Sequence, residues 1–340
     1  MKLTSQYQPH FQIVQAPQPE HRVYYTIRHL TRFRYSRPIS ESSMEVRMQP
    51  RNEALQRSLK FHLTTEPESQ ILTYTDYLEN TVHHFNVPGK HAQLTITAEA
   101  TVENASLPPL PDALPSSAWD VLDTPAIHDE FLDMLLPSYF ARPGAMLHQF
   151  KAEQGIQRLD DPLSTMLELK RIIYNAFAYM PHSTRVDSPI EDALTTRRGV
   201  CQDFVHITIA LVRDLGIPCR YVSGYLFHRR EDHDRSEEDA THAWLEAWLP
   251  ALGWVGFDPT NNLIASERHI RTAIGRDYND VPPTRGVFRG VADSQLDVGV
   301  RVAPAEAPIP QDEELLPVMV WSPPDPDEDN LNQQQQQQQQ

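Results

Sequence analysis

The sequence has little cysteine: two residues in 340, Cys201 and Cys219. Two are too few for a disulfide framework or a cysteine-rich zinc site, although one bridge between them is formally open. Lys and Arg are scattered and build no basic face, which argues against nucleic acid as a partner. No stretch approaches the ~20 apolar residues of a membrane span, so no membrane partner is expected. Residues 1–15 carry one Lys and no apolar segment, and do not read as a secretory signal. A cytoplasmic, reducing setting with free thiols is the expectation. Acidic charge is abundant instead. The formal net charge is −16, and half of it comes from residues 306–329, with eight acids and no Lys or Arg. That stretch is proline-rich and leads to eight glutamines at 333–340, a composition that cannot bury a core. Residues 1–21 and 304–340 are therefore expected to be disordered.

Between these ends the pattern changes twice. Val23, Tyr25, Ile27, Phe33 and Tyr35 share one parity, and Arg22, Arg28, Arg32 and Arg34 the other. Residues 91–103 alternate strictly, and 59–64, 71–77 and 81–87 read as shorter strands. An antiparallel β domain over 22–104 follows. Four prolines within 106–117 mark a linker at 105–118. Helical spacing then takes over. Residues 126–136 carry Phe131, Leu132, Leu135 and Leu136. Residues 161–180 open with Asp161 as cap and Pro162 at the first helical position, and carry a stripe of Met166, Leu169, Ile173, Phe177 and Met180. A third helix over 201–215 buries Phe204, Ile207, Thr208, Leu211 and Leu215, and Gly216 and Pro218 stop it. Strands at 220–227, 241–249 and 254–258 follow, with a charged loop at 229–239 and a last strand within 287–302. Helices before strands point to an α+β second domain over 119–303.

Cys201 sits where a loop becomes a helix, in Gly199-Val200-Cys201-Gln202-Asp203-Phe204. Free N–H groups and the positive end of the helix dipole favour thiolate at such a place. The competing reading is a small buried hydrophobe. A thiol nucleophile needs an imidazole, and the imidazole a third group to fix its tautomer. His242 stands out among fifteen histidines because it shares a strand face with Trp244, Glu246 and Trp248. Asp258 lies across the hairpin turn at 250–253. A five-residue loop sets Trp248 opposite Trp254 and brings Asp258 diagonally beside His242; a four-residue loop without a bulge puts them on opposite faces. Capping of the Asp-Pro-Thr-Asn turn is a compatible second role for Asp258.

The run RRGVCQDFVHITIALVRDLGIPCRYVSGYL, followed by THAWLEAWLPALGWVGFDPTNN, resembles the core of bacterial transglutaminase-like proteins. TIRHLTRFRYSRPIS with DYLEN is similar to the β region that precedes this core, and GRDYNDVPPTRGVFRG to its C-terminal extension. The resemblance spans residues 22–303. It implies a papain-like core, with helices packed on an antiparallel sheet, and a Cys–His–Asp triad that maps onto Cys201, His242 and Asp258. No cofactor or metal is implied. Glu79 in DYLEN departs from the pattern, where a glycine is expected, and Cys219 stands where a small residue is common.

These parts imply attack of the Cys201 sulfur on a carboxamide or peptide carbonyl, with His242 protonating the leaving amine and a thioester intermediate. The backbone N–H of Cys201 is the natural oxyanion donor. Tyr179 is a second oxyanion candidate, although a core aromatic is the commoner use of such a residue. Gln202 and Trp244 are candidates to line the cleft; Gln202 and Asp203 also suit helix capping, and Trp244 suits sheet packing. A protein or peptide substrate is expected, with hydrolysis preferred to amine transfer because water is always present. Two other classes are open. His228, His233 and the acids of RREDHDRSEED suggest a divalent ion, but match no EF-hand or zinc spacing. A catalytically inert interaction protein is the third. The sequence does not indicate an oligomeric state.

Overall fold

The computed structural model describes residues 22–306 apart from Arg230 and His233. The disorder expected for residues 1–21 and for 307–340 lies outside this range, but that expected from 304 is not found at Pro304 and Ala305, which end the last strand and pair with Tyr25 and Tyr24. The first sheet begins with β1 (Arg22–Val46), β2 (Gln56–Glu66), β3 (Ile71–Thr75) and β4 (Thr81–Ala105). β4 joins two segments that the sequence separates, passing through Pro88–Lys90 with Gly89 at φ 90° where the pairing with β1 shifts register. β1 pairs with β4 along nearly its whole length, and β4 carries β2 and β3 on its other edge.

The helical layer comes next. It holds α1 (Ala118–Leu122), α2 (Pro125–Glu130), α3 (Leu132–Leu135), α4 (Ala145–Glu153) and α5 (Pro162–Ala176). Asp161 caps α5, its Oδ1 accepting from the N–H groups of Leu163 and Ser164 at 2.9 and 3.0 Å. Leu163, Met166, Leu169 and Ile173 are buried along it. The helix stops four residues before the expected 180. Phe177 turns extended, and β5 (Ala178–Tyr179) pairs in parallel with β6 (Arg198–Gly199), leaving Met180 38% exposed. The helix expected over 126–136 is split at Phe131, whose ring packs on Trp248 and Trp254 at 5.1 and 5.5 Å. Leu132 and Leu136 are about half exposed, so no continuous buried face forms there. Between β5 and β6 lies α6 (Ile190–Thr196).

α7 (Cys201–Asp214) is the central helix, buried over nearly its whole length. It is followed by β7 (Cys219–Leu226), β8 (His242–Leu249), β9 (Gly253–Asp258), β10 (Leu263–Ile264) and β11 (His269–Gly275). These form an antiparallel sheet in the order β10-β9-β8-β7-β11. Ala243, Leu245, Ala247 and Leu249 of β8 join the α7 side chains in the main core. The architecture is the expected α+β one, with helices on an antiparallel sheet and an antiparallel β region before it.

The final strands, β12 (Thr284–Arg289) and β13 (Ser294–Ala305), do not stay with the second domain, where the sequence reading places them. Both pair with the free edge of β1 in the first sheet. Val300 is buried there with Tyr25, Ile27 and Val102. The two regions are also joined at β11, the edge of the second sheet. Gln56 hydrogen-bonds both the N–H and the C=O of Arg271 at 2.8 Å, and Asn80 does the same for Ile274. Asn104 Nδ2 donates to the carbonyls of Glu267 and His269 at 2.9 and 3.2 Å. Three amide side chains thus satisfy an edge whose backbone groups the sheet leaves unpaired. Asn80 is held by a turn in which Asp76 Oδ1 accepts from Leu78 and Asn80 N–H. That turn puts Glu79 at φ 62°, a left-handed conformation that suits glycine.

Candidate active site

Cys201 is the first residue of α7 and is half-buried. Its helix start is fixed by Asp203, whose Oδ2 accepts from Val200 N–H at 2.8 Å and from the Thr184 hydroxyl at 2.6 Å. Gly199 makes this possible: a Cβ there would stand 2.9 Å from the same Oδ2. At the first helical position, the Cys201 N–H is one of the groups that a helix cannot pair internally. Cys219 is fully buried on β7, with its sulfur 3.7 Å from the Ile209 carbonyl; burial pushes its thiol up to about 11. Both cysteines are free.

The hairpin register sets Trp248 against Trp254 and Leu245 against Phe257. The next pairs bring His242 and Asp258 to one face, and His242 Nε2 lies 2.8 Å from Asp258 Oδ2. Both side chains are almost wholly excluded from water. Asp258 is held by more than the histidine. Its Oδ1 accepts from the N–H groups of Thr260 and Asn261 at 2.9 and 3.2 Å, and Asn261 Nδ2 donates to Oδ2 at 2.9 Å. Capping the Asp-Pro-Thr-Asn turn and orienting His242 are thus done by one carboxylate.

With Nε2 committed to Asp258, Nδ1 is the ring nitrogen left over. Nδ1 of His242 is buried and has no hydrogen-bond partner. Burial strongly opposes charge on this ring. The Asp258 carboxylate and the neighbouring Cys201 sulfur outweigh it and raise His242 to about 10. Burial likewise works against the Asp258 carboxylate, yet His242 and His269 hold it well below the usual range.

The other predicted residues divide. Tyr179 is half-buried beside the site, its phenol raised by burial and then by the charge on Cys201. Its hydroxyl accepts from Glu237 N–H at 3.4 Å, so it touches the charged loop after β7. Gln202 is buried, and its Nε2 donates to the Val186 carbonyl at 2.9 Å. Trp244 lines no open cleft. It is 0% exposed and packs with Val222, Ala265 and Ile274, with its ring 6.1 Å from that of His242. Sheet packing wins because a strand face this deep admits no solvent.

The sequence reading passed over three neighbours. Tyr221 and Tyr278 both feel the charge on Cys201 in addition to burial. His269, at the start of β11, places Nε2 3.4 Å from Asp258 Oδ2. Tyr278 lies in GRDYNDV, a segment singled out only for its resemblance. His242, Asp258 and His269 offer one ligand atom each within 4.8 Å, but these atoms are engaged with one another. His228 Nε2 meets the Ser236 hydroxyl at 2.9 Å, and His233 lies outside the described residues.

Comparison with known proteins agrees with this geometry at the level of family. The model of the bacterial transglutaminase-like N-terminal region matches residues 25–103, and that of the transglutaminase-like superfamily matches 150–259. An uncharacterised protein of Mycobacterium leprae is 34% identical over 275 residues, covering 81% of this chain and 96% of its own. The chain belongs to the transglutaminase-like superfamily. A protein-glutamine gamma-glutamyltransferase of Pseudomonas aeruginosa is 32% identical over 133 residues, which cover 36% of this chain and 20% of that protein. A solved structure from Cytophaga hutchinsonii, presented as a candidate cysteine protease, shares the fold with TM-score 0.67 and 22% identity, over 85% of this chain and 93% of that one.

Proposed function

We propose that this chain is a thiol hydrolase of amide or peptide bonds in proteins or peptides, acting through Cys201, His242 and Asp258. One observation carries the reading. His242 is pinned to Asp258 through Nε2 and keeps a buried, unpartnered Nδ1 for the Cys201 sulfur. Superfamily membership supports it. The sulfur attacks the carbonyl carbon, and the oxyanion forms next to the Cys201 N–H. His242 gives its proton to the leaving amine, and a thioester remains on Cys201. His242 then takes a proton from water as the water attacks the thioester, which releases the acid and the free thiol. Tyr179 is the side chain to test as second oxyanion donor. A reducing cytoplasmic setting fits two free cysteines.

Amine transfer is the second reading, favoured by the similarity to the gamma-glutamyltransferase over part of the chain. Incubation with Gln-containing peptides, with and without a primary amine, separates the two by mass spectrometry. Cleavage or deamidation that vanishes in Cys201→Ala is expected. Amine incorporation in preference to hydrolysis would favour the second reading. No Cys201-dependent product from a broad peptide set would reject both.

A further inference from the structure

We propose that His269 is a positioning residue of this site, its Nε2–H holding Oδ2 of Asp258 in place for His242. The inference rests on the Cys201–His242–Asp258 reading and adds a fourth side chain to it. His269 is fully buried. Its Nδ1 faces the backbone N–H of Ser266 at 3.1 Å and can only accept there, which puts the ring proton on Nε2. Nε2 faces Asp258 Oδ2 at 3.4 Å. The ring is also held edge-on against Trp244, with centroids 5.1 Å apart. Its backbone is fixed twice, by Ser266 O at 3.0 Å and by Asn104 of the first sheet at 3.2 Å. The β region thus reaches the site through β11.

The choice of imidazole has a physical reason. Oδ2 already accepts from His242 and Asn261. A second cation at this point would compete with protonated His242 for the same carboxylate. A neutral N–H donor steadies the carboxylate without that competition. Burial keeps His269 neutral against the pull of Asp258. The surrounding charges act in the same direction: His242 from β8 and Arg268, next to it in the chain, disfavour a proton on His269. Lys170 of α5 also feels Asp258, His228 faces His242 from the loop after β7, and Cys201 faces His242 from α7.

The test is the rate of iodoacetamide alkylation at Cys201 near neutral pH in the full chain, with buried Cys219 as internal reference. Wild type, His269→Phe and His269→Gln are compared. Wild type is expected to react well above the rate of a free thiol. His269→Phe is expected about tenfold slower, the low end for a lost hydrogen bond to a charged group. His269→Gln, which keeps a neutral N–H donor, is expected to recover most of the rate. A wild-type rate no faster than a free thiol would reject the underlying triad reading. A fast wild type with an equally fast Phe variant, or a Gln variant as slow as Phe, overturns the role of His269 alone. Nitrogen-15 NMR of wild-type histidines tests the inference even where a variant does not fold. A neutral Nε2–H tautomer at His269 supports it; an Nδ1–H tautomer, a charged ring or a stoichiometric metal ion bound there overturns it.

Discussion

Gly224 of β7 lies directly across the sheet from His242 of β8, and the space its missing side chain leaves is already filled. A Cβ at Gly224 would collide with the Ile270 carbonyl of β11 and stand 2.8 Å from the Trp244 ring. The glycine therefore lets β11 close on β7 and bring His269 towards Asp258. Gly224→Ala is expected to lower stability by about 1–3 kcal/mol through overpacking. Activity per folded molecule should fall as well, since His269 is pushed back. Urea unfolding alongside peptide hydrolysis checks both parts.

Asp258→Asn keeps the side-chain shape and removes the charge that raises His242. Hydrolysis is expected to fall by about three to four orders of magnitude, the scale seen when a triad loses its carboxylate. The His242 titration should fall from about 10, because only the Cys201 sulfur is then left to oppose burial. Steady-state kinetics and histidine NMR report the two effects separately.

Glu246 lies beneath the same sheet, buried between Arg220 at 2.7 Å and Arg271. Replacing it with Gln leaves two guanidinium groups facing each other with their shared anion gone. A loss of about 3 kcal/mol is expected, as for breaking a buried ion pair from one side. Equilibrium denaturation measures it. A loss below ~0.5 kcal/mol would mean that water reaches the pair.

Stability should peak near pH 6.5. Burial works against ionised Glu246, but Arg271 and Arg220 hold it at about 2, against 4.5 for a free side chain. The unfolded chain takes up that proton first, so the contribution is present above 4.5 and is lost as pH falls towards 2. His29 and His206, kept neutral by burial at about 4 and about 3, also favour the unfolded chain as pH falls below 6.5. His242 acts on the alkaline side. Its raised value means a contribution complete below 6.5 and lost as pH rises through about 10. Denaturant midpoints from pH 3 to pH 10 should trace this dome.

Glu79→Gly is expected to stabilise the protein by up to about 1 kcal/mol, because φ 62° penalises a side chain and not a glycine. Thermal unfolding reads the gain. Since the turn also holds Asn80 against β11, tighter protection of Ile274 N–H from hydrogen exchange should accompany it.

Much of the site was legible because its residues lie within one hairpin and one helix start. Asp161 with Pro162, Gly216 with Pro218, and the Trp248–Trp254 register are local signals, and local chemistry decides them. The misses have a common cause. His269 reaches Asp258 through the β7–β11 pairing, and no spacing in the chain announces a contact set by a third strand. Trp244 was ambiguous because alternation assigns a face but not its depth. The split of 126–136 depends on Phe131 docking onto two tryptophans more than a hundred residues away. β13 alternates plainly, Leu296, Val298, Val300 and Val302 against Gln295, Asp297, Gly299 and Arg301, but alternation names no partner, and the partner β1 lies at the other end of the described chain.

That last pairing has a consequence for biosynthesis. Among the described residues, the outer edge of β1 is covered by strands made about 240–280 positions later. At about 5–20 residues per second, a nascent strand of 25 residues stays without its edge partner for roughly 10–50 seconds. During that interval its open row of N–H and C=O groups can pair with another chain. That interval is the window in which a chaperone bound to the nascent β1 edge would guard it.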